Sequence, residues 1–140
     1  MRDFNELVDD FSFLDDWEDR YRYVIELGRE LSELEDSQRI EANKVHGCAS
    51  QVWLITDVDT SSGQPVLNFR GDSDAMIVKG LIAILISIYS GKSAGEILNT
   101  DAFKMLAEID LQQNLTQQRS NGLQAMVQRI HATAAEAQAA

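Results

Sequence analysis

The chain has 140 residues, 44% of them hydrophobic, which suits one domain with a real core, spanning 1–140. Its formal charge of −11, with a pI near 4.4, argues against a phosphate backbone as partner, so no nucleic acid is expected. One cysteine excludes an internal disulfide, and the most apolar segment, 77–89, is too short for a bilayer and carries Lys79, so no membrane is expected.

The N-terminus, Met1-Arg2-Asp3-Phe4-Asn5-Glu6, lacks the basic stretch and apolar run of a secretory signal, and the expected location is the cytoplasm. A short amphipathic piece follows with Phe4, Leu7, Val8 and Phe11 on one face. Asp16-Trp17-Glu18-Asp19 opens a second helix, because acidic side chains complement the dipole of a first turn. Its stripe runs through Trp17, Tyr21, Val24 or Ile25, and Gly28, with Leu27, Leu31 and Leu34 extending the face. Residues 35–43 are polar without period and read as a loop.

Gly47, Cys48 and the small residues Ala49 and Ser50 read as a tight turn leading into a strand, with a short strand at 44–46 before it. The strand at 51–58 places Val52 and Leu54 on one face and Trp53 and Ile55 on the other, which suggests burial on both. Thr60-Ser61-Ser62-Gly63-Gln64 turns the chain, and Val66 to Arg70 returns after Pro65. Pairing Asp57 near Val66 sets Val52 near Gly71, so the Cys48 loop ends beside Gly71-Asp72-Ser73-Asp74. Asp72, Ser73 and Asp74 are good N-caps, and this stretch reads as the start of the next helix, close to the thiol. That dipole favours a thiolate while the aspartates oppose it.

The helix at 75–89 is apolar nearly all round and reads as the central core helix. Gly80 inside it costs roughly 1 kcal/mol relative to alanine, which suggests a close approach by another element. Gly91 ends that helix, Ser93 caps a short one through Asn99, and another runs from Asp101 to Ile109. Residues 110–119 read as a polar connector. The last helix starts near Ser120 or Asn121, and its alanine-rich tail, 132–140, is expected to fray.

Two readings of Cys48 stand side by side. Free cysteines are mostly small buried hydrophobes, yet this one sits on a glycine loop where a nucleophile can be approached. His46 lies two residues away, and in an extended segment both side chains share a face, but no orienting third group is identifiable for a hydrolase. His46 and His131 are far apart, without metal-ligand spacing, and no glycine-rich nucleotide loop is present, so no metal or nucleotide is expected.

The residues 45–53, Val-His-Gly-Cys-Ala-Ser-Gln-Val-Trp, resemble the cysteine-loop signature of the SufE family of sulfur-acceptor proteins. Gly71-Asp72-Ser73-Asp74 with Ile77-Val78-Lys79-Gly80-Leu81 resembles its second motif. Leu115-Thr116, Arg119-Ser120 and Gly122-Leu123 resemble its third, and Trp17-Glu18-Asp19-Arg20-Tyr21 and Glu26-Leu27-Gly28 also match. His46 and the polar turn around Ser61-Ser62-Gly63 depart from the pattern. The resemblance implies an α+β fold: a small curved antiparallel sheet flanked by helices, as in the iron–sulfur scaffold protein. It implies a carrier rather than an enzyme. Cys48 would accept sulfur as a persulfide from a cysteine desulfurase, activate that enzyme, and pass sulfur to an iron–sulfur scaffold complex. Pyridoxal phosphate would belong to the desulfurase alone. Gly47, Ser50, Asp72, Asp74 and Arg119, all within the motifs, would contact the partner. The alternatives are a CsdE-type acceptor feeding another sulfur pathway, or a stand-alone cysteine hydrolase or thiol peroxidase. The chain is expected to be a monomer or homodimer.

Overall fold

Short acidic caps start the N-terminal helices where the sequence predicts. Asp3 accepts the Glu6 N–H at 2.9 Å at the head of α1 (Phe4–Ser12), and Asp16 accepts the Asp19 N–H at 2.9 Å at the head of α2 (Trp17–Arg29). The structure is a computed structural model that describes residues 3–140, so Met1 and Arg2 of the N-terminal stretch considered above lie outside the described residues. Helix α2 stops at Arg29, short of the leucine pattern; Leu34 is buried beyond the helix end. Arg20 explains the early Trp-Glu-Asp-Arg-Tyr run. Its guanidinium reaches the carbonyls of Leu14, Ile109 and Phe11 at 3.0, 3.3 and 3.4 Å and stacks over Trp17 and Phe11, tying both helices to the distant Ile109. Residues 35–43 are not wholly irregular, but hold single 3₁₀ turns at Asp36–Gln38 and Glu41–Asn43.

The sheet is antiparallel in the order β1 (Val52–Asp59), β2 (Val66–Ser73), β3 (Lys92–Ser93). Asp59, not Asp57, faces Val66, and Val52 faces Ser73 rather than Gly71. Asp59 accepts the Ser61 N–H at 2.9 Å, and Gly63 adopts φ +92°, so the turn closes tightly enough for two more pairs to form. A shift of two residues preserves which side chains share a face, which is why the expected faces of β1 survive. Gly71, Asp72 and Ser73 therefore belong to β2 and do not cap a helix. The segment at 44–46 forms only a bridge, Lys44 to Trp53.

Helix α3 (Met76–Tyr89) begins after Ala75 without a side-chain cap and is almost wholly buried, lying between α2 and the sheet. A methyl on Gly80 would stand 2.1 Å from the Val24 carbonyl oxygen, and one on Gly28 would stand 2.7 Å from the Gly80 nitrogen, so the α2 and α3 backbones nearly touch. On the other side, Ile82 Cγ2 occupies the space that a Gly71 side chain would take. The expected short helices follow as α4 (Ala94–Leu98), with a Ser93/Glu96 capping box, and α5 (Ala102–Ala107), capped by Asp101. A 3₁₀ turn at Gln112–Asn114 precedes α6 (Gln117–Ala139), which starts earlier than expected because Thr116 caps it. Its tail stays helical. Ala134 is fully buried and Ala137 packs on the core, since alanine is both a strong helix former and small enough for close packing.

Ile82→Ala should lower stability by about 2–5 kcal/mol through the cavity it leaves. Gly80→Ala, stabilising in an exposed helix, should lower the melting temperature here because its methyl meets the α2 backbone. Thermal unfolding of both variants checks this. A Gly80→Ala protein as stable as the native one would contradict the close crossing.

Candidate functional site

The loop bearing Cys48 is closed at its base by Val45, whose N–H donates to the Val52 carbonyl at 2.8 Å. Gly47 adopts φ +94°, a left-handed conformation that turns the chain at the tip and would strain any other residue. On the outgoing side the Asp74 carboxylate accepts the Gln51 N–H at 3.0 Å and the Ser73 hydroxyl donates to the Gln51 carbonyl at 2.6 Å. Ser73 Oγ also accepts the Ala75 N–H at 3.2 Å, so these residues bind the loop to the start of α3 instead of capping it.

The thiol is half-buried and donates to the Gly122 carbonyl of α6 at 3.6 Å. Gly122 lies against Cys48, where a methyl would stand 3.4 Å from Sγ and 3.6 Å from the Cys48 Cβ, in ordinary van der Waals contact. Cys48 opens onto a cavity of about 360 Å³ whose walls are Ala49 and Ser50, the start of α3 (Ala75, Ile77, Val78, Leu81), and the first turns of α6 (Thr116–Arg119, Gly122, Met126). Burial pushes the Cys48 thiol above its ordinary range. The helix starts around it therefore do not generate a resting thiolate.

Arg119 lies in the first turn of α6, not in a connector, and is half-buried on the cavity wall. Its backbone N–H is held by Thr116 Oγ1 at 3.3 Å, while its guanidinium meets no carboxylate or carbonyl among the described residues. The structure thus brings Cys48, Ser50 and Arg119 to one cavity, with Gly47 packed against Ala125 beside it.

Asp72 is set apart. It is 4% exposed, and its carboxylate accepts from Arg39 Nη2 and Nε at 2.9 and 3.2 Å, from the Ser73 N–H at 2.8 Å, and pairs with Lys79 Nζ at 3.3 Å. Burial disfavours its charge, but Arg39, the Ser73 N–H and Lys79 outweigh that and hold the carboxyl below the usual range. Such a group is committed within the chain and is not a surface for a partner. His46 points away from the thiol to Glu41, 2.9 Å from its carboxylate, because the turn at Gly47 breaks the extended geometry that a dyad needs. Among the described residues no three histidine, cysteine or acidic side chains gather as a metal would require, and no helix is long and apolar enough to cross a membrane.

The sequence marks Thr116 and Gly122 only as motif residues, assigns neither to the thiol's surroundings, and assigns Gln117 and Gln118 to a connector. The third motif was the available signal for Gly122 and Thr116, and the misplaced start of α6 hid Gln117 and Gln118.

Residues 5–134 match the family model described as SufE, the Fe-S metabolism associated domain. A SufE-like protein of Rhizobium etli is 56% identical over 130 residues, covering 93% of this chain and 88% of that one. A SufE-like protein of Rhizobium meliloti is 51% identical over 134 residues, covering 96% of each. The solution structure of a hypothetical protein from Thermus thermophilus shares the fold with a TM-score of 0.76 at 20% identity, covering 98% and 96% of the two chains. The chain belongs to the SufE family, whose setting is iron–sulfur metabolism.

Two measurements test these electrostatics. Iodoacetamide alkylation of native Cys48 should have a pH midpoint above that of the same protein unfolded in urea; an equal or lower midpoint would contradict the burial effect. Asp72 has a folded pKa below its unfolded one, so its contribution is complete above about pH 4 and is lost as pH falls through the depressed value. Asp72→Asn should therefore lower the melting temperature at neutral pH, with the gap from the native protein closing in acid. A gap independent of pH would contradict the assignment.

Proposed function

We propose that this SufE-family chain receives sulfane sulfur on Cys48 from the persulfide of a pyridoxal-phosphate-dependent cysteine desulfurase and relays it to an iron–sulfur scaffold complex. One observation carries the reading: the sole cysteine stands at a cavity whose wall presents an arginine with a guanidinium that meets no carboxylate or carbonyl among the described residues. A cation in a first helical turn opposes the helix dipole by about 0.3–1 kcal/mol, so stability does not account for Arg119. An anionic sulfur beside it does.

The chemistry is a two-electron exchange without net redox change. Cys48 loses its proton to solvent or to a base on the partner, and the thiolate attacks the outer sulfur of the donor persulfide. A new S–S bond forms, the donor's S–S bond breaks, and the electron pair leaves with the donor cysteine as thiolate. The donor is then free for another turnover, so the acceptor activates its partner. A raised thiol pKa suits this division of labour. At rest the sulfur is protonated and shielded, and the thiolate becomes favoured only where positive charge and a sulfur electrophile arrive together. Arg119 would pair with the anionic terminal sulfur of the persulfide formed on Cys48 and order the loop against the partner. Gly47, Ser50 and Asp74 would act through the loop's shape, Gly47 by its turn and Asp74 by anchoring Gln51. This chain would hold no cofactor of its own and would work in the cytoplasm.

Incubation with a cysteine desulfurase and L-cysteine should add the mass of one sulfur atom to the native protein and none to Cys48→Ser, whose hydroxyl stays protonated and is a far weaker nucleophile. Arg119→Ala should keep the melting temperature and the free thiol but lose most stimulation of desulfurase turnover, with Arg119→Lys intermediate because a point charge lacks the planar fork. Sulfur gain by Cys48→Ser would exclude Cys48 as the acceptor. Full stimulation by both Arg119 variants would remove that residue from the mechanism.

A further inference from the structure

Helix α6 touches the Cys48 loop at three places spaced three and four residues apart, and hence on one helical face. Gly122 receives the thiol, Ala125 faces Gly47 so closely that a methyl on Gly47 would stand 3.2 Å from the Ala125 Cβ, and Arg129 reaches the segment leading into the loop. The loop runs antiparallel along this stripe. Arg129 donates from Nη1 to the Lys44 carbonyl at 3.1 Å and from Nη2 to the Ala42 carbonyl at 2.9 Å. Both carbonyls lie at the end of the 3₁₀ turn Glu41–Asn43.

The contacts are unequal in strength. At the tip, a thiol is a weak donor and Gly47 offers only van der Waals contact. At the base, two charge-assisted bonds from a rigid fork fix both position and orientation. The outgoing side of the loop has its own anchor in Asp74 and Ser73, so Arg129 supplies the matching anchor on the incoming side. We propose that Arg129 is a positioning residue for sulfur transfer, setting from two turns down α6 the depth at which Cys48 sits against Gly122. The role rests on the reading of Cys48 as the acceptor. Other contacts hold the same segment: Val45 is buried and its N–H donates to the Val52 carbonyl, and the Asn43 side chain donates to the Gln38 carbonyl at 2.9 Å, so Arg129→Ala is expected to fold.

The test is alkylation of Cys48 by iodoacetamide in native protein, Arg129→Ala and Arg129→Lys, at temperatures well below each melting point. Arg129→Ala should react roughly fivefold to tenfold faster, the change in local opening expected when one or two net hydrogen bonds are lost. Its pH midpoint should move down toward that of the unfolded chain, and Arg129→Lys should recover part of the native behaviour, because an ammonium can hold one carbonyl firmly but not the pair. An Arg129→Ala protein with native rate and midpoint would overturn the proposal. So would a gain in rate that vanishes when the proteins are compared at equal distance below their melting temperatures. Alkylation needs no desulfurase, so failure of the native protein to take up sulfur would remove the acceptor reading while leaving this comparison intact.

Discussion

The buried carboxylate of Asp72 is the constraint on which the site depends. A charge at the end of β2 is tolerable only because Arg39 and Lys79 converge on it, and in doing so they join the 36–43 segment, the sheet and α3. Breaking such a group's partners leaves an uncompensated buried charge, which is far costlier than the pair is favourable. The segment held by Arg39 continues into the carbonyls of Ala42 and Lys44, and then into the Cys48 loop. The strand that carries Asp72 continues into Ser73 and Asp74, which bind the other side of that loop. One ionic node therefore fixes both approaches to the thiol.

Above that node the site trades reactivity for protection. Burial favours the protonated Cys48 thiol, which donates a hydrogen bond to the Gly122 carbonyl. The neighbouring cavity is walled by aliphatic side chains of α3 on one side and by the polar first turn of α6 on the other. A carrier of sulfane sulfur must resist adventitious thiols, which attack whatever sulfur they can reach. It must also yield its thiolate to one partner. On the proposed reading of Cys48, a half-buried thiol on a loop firmly anchored at both ends and weakly held at its tip meets both demands.

Much of the architecture was legible because local chemistry and tertiary demand agree. Ser93 caps the helix it was expected to cap, Asp16 and Asp101 stand at the helix starts expected of them, and the all-round apolarity of 75–89 marked the central helix. Gly80 announced a close crossing, and Val24 supplies it. The failures lie where two signals competed. Asp72, Ser73 and Asp74 look like caps, yet the strand keeps Asp72 and Ser73, because pairing with β1 and the Arg39–Lys79 environment outweigh a capping bond. Polar Gln117 and Gln118 hid the start of α6, since a first turn needs a cap more than an apolar face. The cysteine loop was visible as a motif. Its docking on Gly122, Ala125 and Arg129 was not, because contacts 74 to 87 residues apart leave no local period.

The central claim is that sulfur bonds to Cys48 itself. The direct measurement is brief exposure to a cysteine desulfurase and L-cysteine, alkylation, trypsin digestion and tandem mass spectrometry of the peptide spanning Val45 to Arg70, which contains the only cysteine. The account predicts that this peptide carries one additional sulfur between Cys48 and the alkyl group. Faster desulfurase turnover with Cys48 carrying the alkyl group directly, and no sulfur, would contradict it.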